Sequence, residues 1–182
     1  AEALSAAPRQ AVHERISTGL TEVDRVLGGH LPGPDDLPQL SLTRRVIDES
    51  LRLYPPAWAT GRQALADDEV DGYRIPRKAN VTLSPWITHR HPAFWEEPER
   101  FDPDRFLPER SRDRHRFAYI PFGAGGRRCI GEDFALQEAS TVLAAIAQHY
   151  ELRPVAGHPV ELHPIFTLRP RYGIRVTLHR RC

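Results

Sequence analysis

Apolar residues recur with helical spacing in three segments of the chain. The spacing predicts helices over residues 9–27, 37–53 and 132–149. A pair of glycines follows the first segment and a pair of prolines follows the second, and both pairs are typical helix terminators. The inner side of the third helix is predicted from Phe134, Val142, Leu143, Ile146 and Tyr150.

Elsewhere the apolar period shortens to that of strands. Runs at residues 62–66, 73–75 and 81–86, separated by Asp-Gly and Pro, predict a small mixed or antiparallel sheet. Alternation returns at residues 160–178, where it predicts terminal strands with a turn at 170–173. The pattern therefore favours an α+β arrangement of helices and small sheets.

Composition narrows the class of protein. The chain has 182 residues, a net charge of +1 and 40% hydrophobic residues, which is typical of a globular protein. The longest apolar run, residues 142–147, is far shorter than the roughly 20 residues that span a bilayer, so no membrane segment is expected. Near-neutral charge argues against a nucleic-acid-binding protein. Lys78 is the only lysine among 25 basic residues, which indicates a GC-rich coding sequence.

The start of the chain and its cysteines allow predictions about its completeness and its cellular compartment. The sequence contains no Met and opens at Ala1 without a signal-peptide pattern, which predicts a fragment lacking its upstream part. Cys129 and Cys182 are the only cysteines, so a disulfide framework is implausible and a reducing compartment is expected. The expected location is the bacterial cytoplasm.

The candidate chemistry concentrates at Cys129. A thiolate there could act as a nucleophile, a disulfide partner or a soft metal ligand. A nucleophile needs a histidine base and zinc needs several further ligands, whereas haem needs one axial protein ligand. The surrounding glycines permit close approach of a planar group, and the start of a helix favours the thiolate. His89 and His91 do not make a site by themselves, and both are expected at the surface.

The segment Phe122-x-x-Gly125-x-Arg127-x-Cys129-x-Gly131 resembles the haem-binding signature of the cytochrome P450 family. The resemblance implies that residues 1–182 are the C-terminal portion of a single domain of that mainly α fold. It implies haem b as cofactor and Cys129 as the axial ligand of the iron. The other cofactor-binding residues that it implies are Phe122, Gly123, Gly125, Arg127, Gly131 and, as a second propionate partner or else a solvated strand residue, Arg62.

A second part of the resemblance concerns structure rather than chemistry. The family's Glu-x-x-Arg motif occurs four times here, but only Glu49 and Arg52 lie late on a predicted helix that runs into Pro55-Pro56. Pro98-Glu-Arg-Phe101 is similar to the family segment whose arginine joins that pair. The resemblance thus implies a buried network of Glu49, Arg52 and Arg100, against the alternative of solvated helix salt bridges.

The function implied is that of a haem-thiolate monooxygenase, which inserts one oxygen atom from O2 into an organic or lipid-like substrate. Electrons would come from a ferredoxin, a flavodoxin or a reductase domain. The arginines that could form a positive face for this donor, or else an ordinary solvated surface, are Arg105, Arg110, Arg112, Arg114, Arg116 and Arg128. Substrate contacts are expected from Ala57, Trp58, Ala59, Thr60, Phe166 and Thr167, with ordinary core packing as the alternative for the two aromatic residues.

Two other functions remain open at this point. One is a haem-thiolate enzyme that uses peroxide or isomerises an oxygenated substrate without a redox partner. The other is a non-catalytic haem-binding remnant. The family's oxygen-activating helix with an acidic residue and a threonine is not found in these residues, so the chain alone is expected to be inactive.

Overall fold

The computed structural model describes residues 19–181. In that range the helices are α1 at residues 19–27, α2 at Ser41–Leu53, the single turns α3 at Pro85–Thr88 and α4 at Pro108–Ser111, and α5 at Glu132–His149. Short 3-10 turns lie at Leu37–Gln39, Pro103–Phe106 and Gly125–Arg127. The predicted residues 9–18 of the first helix lie outside the described residues.

The described strands form four separate two-stranded antiparallel pairs. Their bounds are β1 Thr60–Gln63, β2 Asp68–Val70, β3 Tyr73–Ile75, β4 Asn80–Leu83, β5 Tyr150–Pro154, β6 Leu162–Pro164, β7 Leu168–Pro170 and β8 Val176–Arg180. β1 pairs with β4, β2 with β3, β5 with β8 and β6 with β7. The sheets are thus antiparallel, and helices with small sheets are the architecture that the pattern predicted.

The helical core lies where α1, α2 and α5 meet. Val23 and Leu27 of α1, Leu40 before α2 and Ala144 of α5 are completely or almost completely buried together. α1 ends as predicted, because Gly28 adopts a positive φ of 53° that residues with a Cβ rarely take. This packing fixes the position of α2, which carries Glu49 and Arg52.

The N-terminus of α2 is capped by a side chain from another helix. Glu22 of α1 accepts hydrogen bonds from the backbone N–H groups of Leu42 at 2.8 Å and Thr43 at 2.9 Å. Its carboxylate also accepts the hydroxyl groups of Ser41 and Thr43. The α-helix therefore begins at Ser41 rather than at residue 37, after a 3-10 turn.

The inner side of α5 differs from the prediction. Phe134 is 72% exposed and Val142 is 51% exposed, whereas Leu136, Ser140 and Ala144 face the neighbouring helices. The prediction of the apolar side was therefore wrong, and Tyr150 belongs to β5. Small residues at the contact let the helices approach closely. The Ser140 hydroxyl can be buried because it donates to the Leu136 carbonyl at 2.7 Å.

Among residues 19–181, no helix is both long and apolar enough to cross a membrane.

Replacing Glu22 by Ala should lower the free energy of unfolding by about 1–2 kcal/mol, because the first N–H groups of α2 lose their acceptor. Urea unfolding of the whole protein measures this. Glu138→Ala, at an exposed position of α5, is the matched control and should change the free energy by less than about 0.5 kcal/mol. Equal effects of the two substitutions would contradict the capping role.

Candidate functional site

The cysteine loop is folded by its own backbone. The Cys129 N–H donates to the carbonyl of Phe122 at 2.9 Å, which closes the loop at its base. Gly123 and Gly125 adopt φ angles of +77° and +69°, in the left-handed region that favours glycine. α5 begins three residues after the cysteine, at Glu132. The loop therefore presents the Cys129 thiol as a free, exposed group.

The surroundings of the thiol suit a flat apolar group that carries carboxylates. A Cβ at Gly131 would lie 3.9 Å from Sγ of Cys129, so glycine leaves this side of the sulfur uncovered. Ile130 and Phe134 expose large apolar side chains beside it. The Arg127 guanidinium has neither a hydrogen bond nor an ion pair within the described residues, so it is free to bind a carboxylate. A single exposed thiol, apolar side chains and a free guanidinium together fit haem b.

Glu49 and Arg52 form a completely buried ion pair on α2. Arg52 donates through Nε to one carboxylate oxygen at 2.7 Å and through Nη2 to the other at 2.8 Å. Its remaining N–H groups donate to the carbonyls of His89 at 2.8 Å, Pro98 at 2.7 Å and Arg100 at 3.1 Å. All five donors of the guanidinium thus have an acceptor.

Arg100 does not join this pair through its side chain, so the predicted membership is wrong. Its guanidinium donates to Glu97 at 2.8 Å, and both side chains are more than half exposed. The second cation near Glu49 is Arg105, whose Nε lies 3.5 Å from Oε1 and whose side chain is 5% exposed. The Asp102 N–H also donates to this oxygen, at 2.8 Å.

The error has a traceable cause in the sequence. The pattern Pro-x-Arg-Phe occurs twice, at residues 98–101 and again at 103–106. Only the second copy forms a 3-10 turn, with Pro103 buried and the Asp102 carboxylate capping its start. The motif is the same in both copies, so it does not tell which arginine contacts Glu49. That is decided by which of the two copies is buried.

The cytochrome P450 family profile matches residues 13–178 of the chain. The chain belongs to the cytochrome P450 family. It is 46% identical to cyclooctatin synthase of Streptomyces melanosporofaciens over 147 residues. The matched region covers 81% of this chain and 32% of that protein. The chain is 43% identical over 162 residues to putative cytochrome P450 132 of Mycobacterium tuberculosis, covering 89% of this chain and 35% of the relative.

A third relative, pentalenene oxygenase of Streptomyces avermitilis, is 41% identical and covers 86% of this chain and 38% of its own length. Among solved structures, the heme domain of cytochrome P450DA superimposes with a TM-score of 0.86 at 34% identity, covering 94% of this chain and 39% of that one. The P450 fold is thus shown. The chain spans about a third of the length of the curated relatives.

Two segments that the P450 resemblance implied as substrate contacts are joined in space. The indole N–H of Trp58 donates to the Ile165 carbonyl at 3.0 Å, and the Leu168 N–H donates to the Pro56 carbonyl at 2.9 Å. These bonds connect residues 56–58 with residues 165–168, at the turn between β6 and β7. Phe166 at that turn is 97% exposed and is not part of a core in the described chain.

Several of the arginines near the P450 cysteine loop are buried or paired, so they contribute little to a positive surface. Arg105 is buried, and Arg114 lies 4.3 Å from the centroid of the Trp95 ring. Arg110 and Arg128 are paired with carboxylates. Arg62 is exposed on β1 and donates to the Thr60 hydroxyl and the Gly61 carbonyl.

Sequence reasoning missed two residues next to the loop, one of them buried and the other half-buried. His89, expected at the surface, has no exposed area. Tyr119, just before the loop, donates its hydroxyl to Asp48 of α2, and burial raises the pKa of both side chains. No local periodicity marks either residue, because their partners are 31 to 71 positions away.

Arg105→Ala should lower the free energy of unfolding by about 2–3 kcal/mol, because a buried charged partner of Glu49 is lost. Arg100→Ala, the matched control, should cost less than about 1 kcal/mol because its ion pair with Glu97 is exposed. Urea unfolding of both variants measures the difference. The reverse order of effects would restore Arg100 to the network.

Proposed function

We propose that this chain supplies the cysteine-ligand part of a single cytochrome P450 domain with haem-thiolate monooxygenase activity. The observation that carries the proposal is the exposed thiol of Cys129, held in a glycine loop beside an uncovered apolar face. The names of relatives support the class of reaction. They include pentalenene oxygenase and cyclooctat-9-en-7-ol 5-monooxygenase.

The residues of the loop have separate roles in holding haem b. Cys129 would supply the sulfur ligand of the iron, and Arg127 would bind a propionate through its unpaired guanidinium. Gly123, Gly125 and Gly131 would let the ring lie close to the backbone because they add no Cβ. Phe122 limits water at the sulfur, while Arg62 is a second candidate for a propionate.

Bound haem b would supply the iron chemistry for O2 activation in a monooxygenase reaction. The task of this chain is to hold the Cys129 sulfur in position, and the bond from the Cys129 N–H to the Phe122 carbonyl does so by closing the loop.

The proposed substrate is a small apolar organic molecule, lying against residues 57–60 and the turn with Phe166 and Thr167. Ala57, Ala59 and Thr60 have short side chains, and Phe166 offers an exposed ring. The relatives' names make pentalenene and cyclooctat-9-en-7-ol the first compounds to test. A ferredoxin, flavodoxin or reductase domain is the proposed electron donor. The bacterial relatives support a bacterial cytoplasmic location.

Cys129→Ser should abolish the red-shifted Soret band of the reduced carbon monoxide complex of the whole protein, because that band requires a sulfur ligand. Cys182→Ser is the matched control, and it should leave the band in place. Retention of the thiolate band in Cys129→Ser would show that another residue binds the iron.

Trp58→Phe should speed hydrogen exchange in residues 162–170 by about fivefold, because one neutral hydrogen bond of about 1 kcal/mol is lost. Mass spectrometry of the labelled whole protein measures this. Trp86→Phe is the control, since its indole N–H has no partner within the described residues. Unchanged exchange in Trp58→Phe would mean that the indole does not hold the turn.

A further inference from the structure

The two ring nitrogens of the buried His89 side chain have different partners. Nε2 lies 2.8 Å from the backbone nitrogen of Ile120, and Nδ1 lies 3.2 Å from the carbonyl oxygen of Arg52. A backbone N–H can only donate, so Nε2 is the acceptor of its bond. A carbonyl can only accept, so Nδ1 carries the proton. The two contacts together fix the neutral Nδ1–H tautomer.

One side of His89 is attached to the buried ion pair. While its Nδ1–H donates to the Arg52 carbonyl, its own carbonyl accepts from the Arg52 guanidinium at 2.8 Å. The two residues are therefore bonded in both directions. The imidazole is thereby hydrogen-bonded to the Glu49–Arg52 ion pair through Arg52.

The other side of His89 holds the chain that enters the cysteine loop. The carbonyl of Ile120 accepts from Gly123, and two residues further along, Phe122 accepts from Cys129. The ring of Tyr119, next to Ile120, lies 5.3 Å from the imidazole centroid. Two backbone hydrogen bonds, from Gly123 to Ile120 and from Cys129 to Phe122, therefore couple the position of Cys129 to that of Ile120.

We propose that His89 is a positioning residue for Cys129: its Nε2 holds the entrance of the cysteine loop in register with Arg52. This inference rests on the proposed function, in which Cys129 is an iron ligand whose position matters. Loss of the acceptor at Nε2 releases the Ile120 N–H and loosens residues 119–129. Protonation of the imidazole has the same effect, because Nε2 then becomes a donor facing another donor.

The charged and titratable groups around the imidazole favour its neutral form. α2 contributes Arg52, whose charge is paired with Glu49, and the turn after α3 contributes the cation Arg90. Tyr119, from the loop entrance, is uncharged and bonded to Asp48. Burial first, and then repulsion from the two arginines, lower the pKa of His89 to about 4.

The sign of the pH dependence follows. An unfolded histidine has a pKa of about 6.5, so the unfolded chain binds more protons than the folded chain between about pH 6.5 and 4. The contribution of His89 to stability is complete above about pH 6.5. It is lost progressively as the pH falls toward 4.

Two variants separate the functions of the two nitrogens. The amide of His89→Gln reaches the position of Nε2 and can accept from Ile120, whereas that of His89→Asn reaches only the position of Nδ1. The measurement is hydrogen exchange of residues 119–129 in the whole haem-loaded protein at pH 7. We expect exchange at least tenfold faster in His89→Asn and within about threefold of wild type in His89→Gln. His91→Gln, at an exposed histidine two residues away, should match wild type.

Equal exchange in His89→Asn and wild type, or equal acceleration in both His89 variants, would overturn the proposal. If the variants do not fold, a measurement on the wild-type protein still tests the proposal. Nitrogen NMR of wild-type protein labelled in histidine should show one ring protonated at Nδ1 and not at Nε2 down to about pH 5. Protonation at Nε2, or an ordinary titration near pH 6.5, would also overturn it. These measurements do not depend on the identity of the iron ligand, so a failed Cys129→Ser test is distinguishable from a failed His89 test.

Discussion

The buried ion pair between Glu49 and Arg52 is the interaction on which the rest of the arrangement depends. Removing both charges from water costs several kcal/mol per ion, and this cost is offset only when the remaining donors and acceptors are satisfied. Here the extra acceptors for Arg52 come from residues 37 to 48 positions further along the chain. The pair is therefore stable only when those distant segments are in place, which couples the helix to the irregular segment in one cooperative unit.

Aromatic packing completes that unit where regular secondary structure is sparse. Trp95 is almost completely buried, and the guanidinium groups of Arg52 and Arg114 lie 5.0 and 4.3 Å from its ring centroid. Its indole N–H donates to the Ala118 carbonyl at 3.3 Å. The rings of Phe106 and Tyr119 contact it and each other. Residues 92–118 thus keep a defined path by bonding side chains to backbone carbonyls. The cysteine loop begins where this path ends.

The apolar surface beside the cysteine has the opposite character. Ile130 and Phe134, which follow Cys129 closely in the chain, expose large apolar side chains. Exposed apolar area of this kind typically marks a binding surface. The described residues thus combine a firmly held cysteine loop with exposed apolar side chains next to it.

The sequence by itself determined local features: the C-terminal ends of α1 and α2, the cysteine loop and the spacing that puts Glu49 and Arg52 on one face. Each depends on residues that are close along the chain, such as the left-handed glycines or an i, i+3 pair. Tertiary structure decided which side of α5 is buried, that Arg105 rather than Arg100 approaches Glu49, and that His89 lies inside. The physical reason is that a side chain is buried only where another segment packs against it. Local spacing does not specify a partner dozens of positions away.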